Sequence, residues 1–164
     1  MPTRRTLAAT ALALVCAAAL GGCAREPAPA VDYVLLDGRP ASSRQWAGKV
    51  MLVNFWATSC ATCVKEMPQI VATHGKFKDR GFDTLAVAMS YDPPAFVARF
   101  AETRKLPFGV AIDNTGAVAQ AFGPVQMTPT TFLIDKRGAI VKRYVGEPDF
   151  AALHALIEDL LAEA

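Results

Sequence analysis

Charge of one sign is what this chain most plainly lacks. No cluster of lysine and arginine is longer than two, and all 15 acidic residues fall after position 23, whereas Arg4 and Arg5 precede it. A chain beginning at Cys23 therefore holds 15 residues of each sign and is formally neutral. Binding nucleic acid requires a dense basic face that displaces counterions, so no nucleic-acid partner is expected. Histidine is nearly missing too, with His74 and His154 standing far apart, and there is no internal repeat. At 164 residues, 52% hydrophobic and 20% charged, the composition fits one globular domain and excludes disordered or collagen-like chains.

Long apolar runs are absent save one. Residues 7–20 form an Ala/Leu/Val stretch interrupted only by Thr10 and Cys16, directly behind Arg4-Arg5. This is the layout of a secretory signal, and it falls short of the roughly 20 apolar residues that span a bilayer as a helix. Removal is expected. The run ends in Leu20-Gly21-Gly22-Cys23, which resembles the lipobox of bacterial lipoproteins. That resemblance implies acylation of Cys23 as the new N-terminus, two or more acyl chains giving a stable membrane anchor; ordinary cleavage near Ala18 or Ala24 is the alternative. The expected organisation is a signal peptide over residues 1–22, a Pro/Ala tether over 23–30 unable to build a core, and a folded domain over 31–164.

Cysteine is scarce and becomes scarcer on inspection. Of four, Cys16 belongs to the signal and Cys23 to the lipobox, leaving Cys60 and Cys63. A structural zinc needs a second ligand pair, and haem attachment needs a histidine where Val64 stands; no metal site is assigned. A lone C-x-x-C in an exported protein is either a structural disulfide or a redox dithiol. Its position favours the second. The apolar run Val50–Trp56 reads as a buried strand, and from Ala61 the helical spacing of Val64, Met67, Ile70, Val71, His74 and Phe77 reads as a helix. Cys60 thus stands at a helix N-terminus, where unpaired N–H groups and the positive dipole end stabilise a thiolate. Cys60 becomes the nucleophile, and Cys63, one turn further in, attacks the mixed disulfide.

At these residues the chain resembles the thioredoxin-like superfamily, in particular its membrane-tethered TlpA/ResA branch. The resemblance runs from about Val31 to Leu161 and is carried by Asn54-Phe55-Trp56-Ala57-Thr58-Ser59-Cys60-Ala61-Thr62-Cys63-Val64-Lys65-Glu66-Met67-Pro68 and by Thr128-Pro129-Thr130-Thr131-Phe132-Leu133-Ile134-Asp135. It implies an α/β thioredoxin-like fold, a central mixed sheet flanked by helices with the branch's central insertion. It implies a redox-active Cys60–Cys63 disulfide, with Cys60 the exposed attacking thiol and Cys63 the resolving one. Pro129 matches the cis-proline that packs on the disulfide, and Thr128 and Trp56 join it as substrate-binding residues. Glu66 matches an acid of this branch; partly shielded, it can have a raised pKa and take the Cys63 proton, the alternative being a solvated helix charge. The strand position where the superfamily often carries an acid is Asn54, which cannot titrate. Ser59 and Ala61-Thr62 depart from the family pattern, and such positions set the redox poise.

The implied activity is thiol-disulfide exchange with cysteines or disulfides of exported proteins, usually reductive, as in cytochrome c maturation or copper-site assembly. It calls for an inner-membrane thiol electron donor, a lipid anchor facing the periplasm from the inner or outer membrane, and no cofactor beyond the dithiol. Two rivals share the scaffold. A peroxiredoxin-like protein needs a proline where Val53 stands and a hydroxyl where Ala57 stands. A copper metallochaperone-like protein spaces its cysteines by three and adds a distal histidine.

Elsewhere, alternating strands and helices suggest a mainly parallel sheet with helices on both faces. Strands are expected over residues 31–36, 82–89 and 108–112, a short helix over 42–46, a helix over Pro94–Arg104, and a hairpin joining 131–134 to 140–145. Phe150, Leu153, Leu156, Ile157, Leu160 and Leu161 stripe a last helix. Every phenylalanine but Phe77 is assigned to core patterns, Pro68 is expected to bend its helix, His74 to sit at the core boundary, and His154 to have no nameable partner. The lipobox predicts that Cys23→Ala releases the protein into the soluble periplasmic fraction; continued membrane association after fractionation contradicts it.

Overall fold

The run Val-Met-Leu-Val-Asn-Phe-Trp has one polar residue in seven, and all seven side chains are buried. A strand sealed on both faces belongs at the centre of a sheet. The computed structural model describes residues 25–163; the expected signal peptide, Cys16 and Cys23 lie outside the described residues. In chain order the elements are β1 (Asp32–Val34), β2 (Pro40–Ser42), a 3-10 turn (Ser43–Trp46), β3 (Val50–Trp56), α1 (Ala61–Phe77), β4 (Phe82–Ala88), α2 (Pro94–Arg104), β5 (Gly109–Ile112), α3 (Ala117–Ala121), β6 (Thr130–Ile134), β7 (Ile140–Val145) and α4 (Phe150–Ala162).

The main sheet has the order β5-β4-β3-β6-β7. The β3–β4 and β4–β5 ladders are parallel, β3–β6 and β6–β7 antiparallel. The mixed sheet implied by the family resemblance is present, while the mainly parallel sheet suggested by element alternation is not. The tight turn after β6 accounts for one of the two antiparallel ladders: Gly138, at φ 81°, closes it, and a connection that short can only join antiparallel neighbours; since β6 itself runs antiparallel to β3, β7 lies parallel to β3.

Side chains of β3 divide by period two. Val50, Leu52 and Trp56 pack with Met67, Ile70, Phe77, Leu153, Ile157 and Leu160 beneath α1 and α4. Met51, Val53 and Phe55 face the opposite layer, built from Val31, Trp46, Val118, Ala119 and Phe122. That second layer comes mostly from the β1–β2 hairpin, the 3-10 turn and the single-turn α3, so it is not the helical layer expected. Neither the hairpin nor α3 has a periodic signal long enough to read from sequence.

Several side chains sit differently from expectation. Phe77 is wholly buried and Phe96 is 62% exposed, the reverse of their assignment, because α2 turns Val97 rather than Phe96 inward. His154 has a partner: its Nε2 lies 2.8 Å from Thr73 Oγ1. The tether is fastened from Arg25 onward. Ile140 N–H donates to the Glu26 carbonyl at 2.7 Å, Ala28 N–H donates to the Gly138 carbonyl at 2.8 Å, and Arg25 reaches Asp135 at 3.1 Å. Backbone pairing with the β6–β7 turn supplies what the Pro/Ala composition cannot. No helix among the described residues is long and apolar enough to cross a membrane.

Candidate active site

Beyond Trp56 the chain turns through residues 57–59, Cys60 N–H donates to the Ala57 carbonyl at 3.1 Å, and Cys60 becomes the N-cap of α1 with φ −90° and ψ 106°. Extended backbone at that position lets the side chain fold back over the first turn. Cys63 N–H donates to Cys60 Sγ at 3.1 Å, so a sulfur takes the role that a hydroxyl or carboxylate usually plays. The two cysteines form a disulfide with Cα atoms 5.2 Å apart. They are unequal in access: Cys63 is fully buried and Cys60 half-buried.

Thr128 and Pro129 stand against the disulfide, joined by a cis peptide bond. The Thr128 carbonyl oxygen is 3.5 Å from Cys60 Sγ. Thr130 hydroxyl donates to the Met127 carbonyl at 2.8 Å, and Gly146 N–H donates to the Pro129 carbonyl at 2.8 Å. The loop is therefore pinned at the end of the β6–β7 ladder. Its position follows from register, since Phe55 of β3 pairs with Thr130 of β6, which brings the residues just beyond both strands together.

Glu66, nearly one turn beyond Cys63, is fully buried and is no solvated helix charge. Asn54 Nδ2 donates to Glu66 Oε1 at 3.0 Å and to Thr131 Oγ1 at 2.9 Å. Burial pushes the Glu66 carboxyl up to about 7; the Asn54 bond pulls the other way, and the charge of Glu147 adds to the rise. Glu66 Oε2 and Asn54 Oδ1 have no hydrogen-bond partner among the described residues. A proton on the carboxyl removes the cost of an unpaired buried charge. Asn54, which cannot titrate, thus holds an acid that can.

Trp56 requires a correction. Its side chain is 0% exposed and packs 5.0 Å from the Phe100 ring, so it supports the site from below and offers no surface to a substrate. Sequence reasoning also missed Asp92, whose carboxylate accepts from Thr58 N–H at 2.6 Å and from the Thr58 hydroxyl at 2.5 Å. Tyr91, beside it, has its hydroxyl 3.3 Å from Thr128 Oγ1. Both lie outside the two stretches that carry the family resemblance, and no spacing signals a contact made by such a loop. A 530 Å³ depression lined by His74, Asp83, Leu106 and Phe108 lies towards the opposite end of the sheet, away from the disulfide.

The sequence matches the Redoxin family over residues 24–157. The chain belongs to that family. Among curated relatives, this redoxin is 37% identical over 125 residues to the thiol-disulfide oxidoreductase ResA of Halalkalibacterium halodurans, covering 75% of this chain and 70% of the relative. It is 39% identical over 119 residues to ResA of Geobacillus thermodenitrificans, covering 71% and 67%. Among solved structures, a thioredoxin-type protein of Neisseria meningitidis superposes with a TM-score of 0.79 at 42% identity, covering 86% of this chain and 93% of that one. A thiol:disulfide interchange protein of the thioredoxin family from Chlorobium tepidum gives 0.78 at 29%, covering 86% and 99%. The redoxin is a TlpA/ResA-like, thioredoxin-fold thiol-disulfide oxidoreductase, and the electrons in this class are carried by the cysteine pair.

Its buried acid has a measurable signature. The folded redoxin keeps the Glu66 proton up to about pH 7, whereas an unperturbed glutamate loses it around 4.5. Between those values the folded state binds more protons than the unfolded one, so stability falls as pH rises through that window and is fully present below it. The size is on the order of 3 kcal/mol for one group. Urea unfolding is expected to show a higher midpoint near ~pH 5 than near ~pH 8, with the difference flattened in Glu66→Gln. An equal pH dependence in both proteins places the Glu66 carboxyl in its ordinary range.

Proposed function

We propose that this redoxin is a reductant of cysteines in exported proteins, held at the inner or outer membrane by lipid on Cys23 and facing the periplasm. The observation that carries the proposal is the inequality of the two sulfurs: Cys60 is only half-buried at a helix N-terminus, while Cys63 is sealed behind it. Only Cys60 can meet a client, and only Cys63 is placed to finish the reaction.

In the reducing direction, the Cys60 thiolate attacks one sulfur of a client disulfide, forming a Cys60–client disulfide and expelling the other client sulfur as a thiolate. Cys63 then loses its proton and attacks Cys60 Sγ. The mixed bond breaks, the second client thiolate leaves, and the Cys60–Cys63 disulfide forms. Two electrons pass from dithiol to client, and a thiol donor in the inner membrane restores the dithiol. Glu66, with its carboxyl pushed to about 7, is the group near Cys63 suited to accept its proton close to neutral pH. Thr128 and Pro129 present the backbone edge along which an extended client lies. Client cysteines of the cytochrome c or copper-site kind fit this role, since they must be reduced before they bind their cofactor.

Two serine variants test the assignment. Cys60→Ser is expected to abolish reduction of a model disulfide, and Cys63→Ser to accumulate a mixed disulfide visible on non-reducing gels. Equal trapping by both variants removes the assigned order.

A further inference from the structure

The loop of residues 89–93, between β4 and α2, touches both halves of the active site. Asp92, 2% exposed, holds Thr58 by its N–H and its hydroxyl, two positions ahead of Cys60. Tyr91 is 61% exposed, and its hydroxyl meets Thr128 Oγ1 at 3.3 Å. Thr128 in turn places its carbonyl oxygen 3.5 Å from Cys60 Sγ. One short loop is thus tied to the cysteine turn by a buried carboxylate and to the cis-proline loop by an exposed ring.

Burying a carboxylate is costly unless it is fully hydrogen-bonded, and charge-assisted bonds to two donors on one residue are strong and directional. Asp92 therefore gives Tyr91 a fixed base. A tyrosine on fixed backbone loses little conformational entropy when a partner covers it. Met127, 60% exposed, directly precedes Thr128, so a second large apolar group borders the same strip.

We propose that Tyr91 is a specificity-determining residue, selecting clients that carry an apolar side chain beside the reacting cysteine, with the Asp92–Thr58 contact as the device that positions it. This rests on the reading that Cys60 is the sulfur that meets the client. An extended segment lying along Thr128 brings its cysteine to Cys60 and the neighbouring residue to the Tyr91 ring. An apolar neighbour removes ring surface from water, whereas a polar one must be desolvated against it.

The test uses the reduced full-length protein and two synthetic peptides, each a symmetric disulfide of a one-cysteine sequence, differing only in Phe or Ser next to cysteine. The wild-type rate constant for reduction is expected to favour the Phe peptide by about tenfold. Tyr91→Ala is expected to bring that ratio close to one, and Tyr91→Phe to keep it. General damage to the fold lowers both rates and leaves the ratio intact, so it does not imitate the result. A ratio that survives Tyr91→Ala, or a wild-type protein without preference, overturns the proposal. Should Cys63→Ser trap neither peptide, the role of Cys60 fails and the proposal falls with it; trapping of both peptides with no preference sinks the Tyr91 assignment alone.

Discussion

The first N–H groups of a helix have no partner inside it, and in α1 one of them, that of Cys63, points at the Cys60 sulfur from 3.1 Å. This contact gives the site its direction. A helix N-terminus favours negative charge, so the sulfur lodged there is stabilised as a thiolate, while the sulfur one turn deeper receives no such help and is hidden from clients. Without the cap, the difference in burial alone would set the two sulfurs apart, and nothing in the backbone would favour the thiolate at Cys60.

The rest of the fold holds that cap in place. β3 is sealed on both faces, so the point where its chain emerges is as rigid as the core, and β6 pairs with it in a register that brings the Thr128–Pro129 bond to the same edge. A third hold comes from Asp92 through Thr58. Below the surface, Asn54 ties Glu66 of α1 to Thr131 of β6, joining the helix that bears the cysteines to the strand that bears the proline. Residues 25–28 are fastened at the turn after β6, at the far end of that strand. The disulfide therefore lies at the pole away from residues 25–28, at the opposite end of β6.

Much of this was legible where chemistry or periodicity is local. The boundary between β3 and α1, the span Pro94–Arg104 and the inward stripe of α4 follow from apolar spacing, and the cysteine pair and Thr128-Pro129 stand in stretches that resemble a known family. What escaped depends on depth or on distant contacts. Spacing put Phe96 and Val97 on one helix but could not say which faces inward, and the family resemblance placed Trp56 at the site without revealing that it is buried against Phe100. Asn54 was read by what it cannot do, because its bonds to Glu66 and Thr131 exist only after α1 and β6 are assembled. Asp92 and Tyr91 sit in a loop with no pattern, and their partners, Thr58 and Thr128, come from two other loops.

The most direct test of the account is the acidity of Cys60 in the reduced protein, read from the pH dependence of its alkylation rate. The helix cap predicts a midpoint well below the ~8.5 of an unperturbed cysteine, with Cys63 reacting far more slowly at every pH. A midpoint at or above ~8.5, or modification of Cys63 ahead of Cys60, contradicts it.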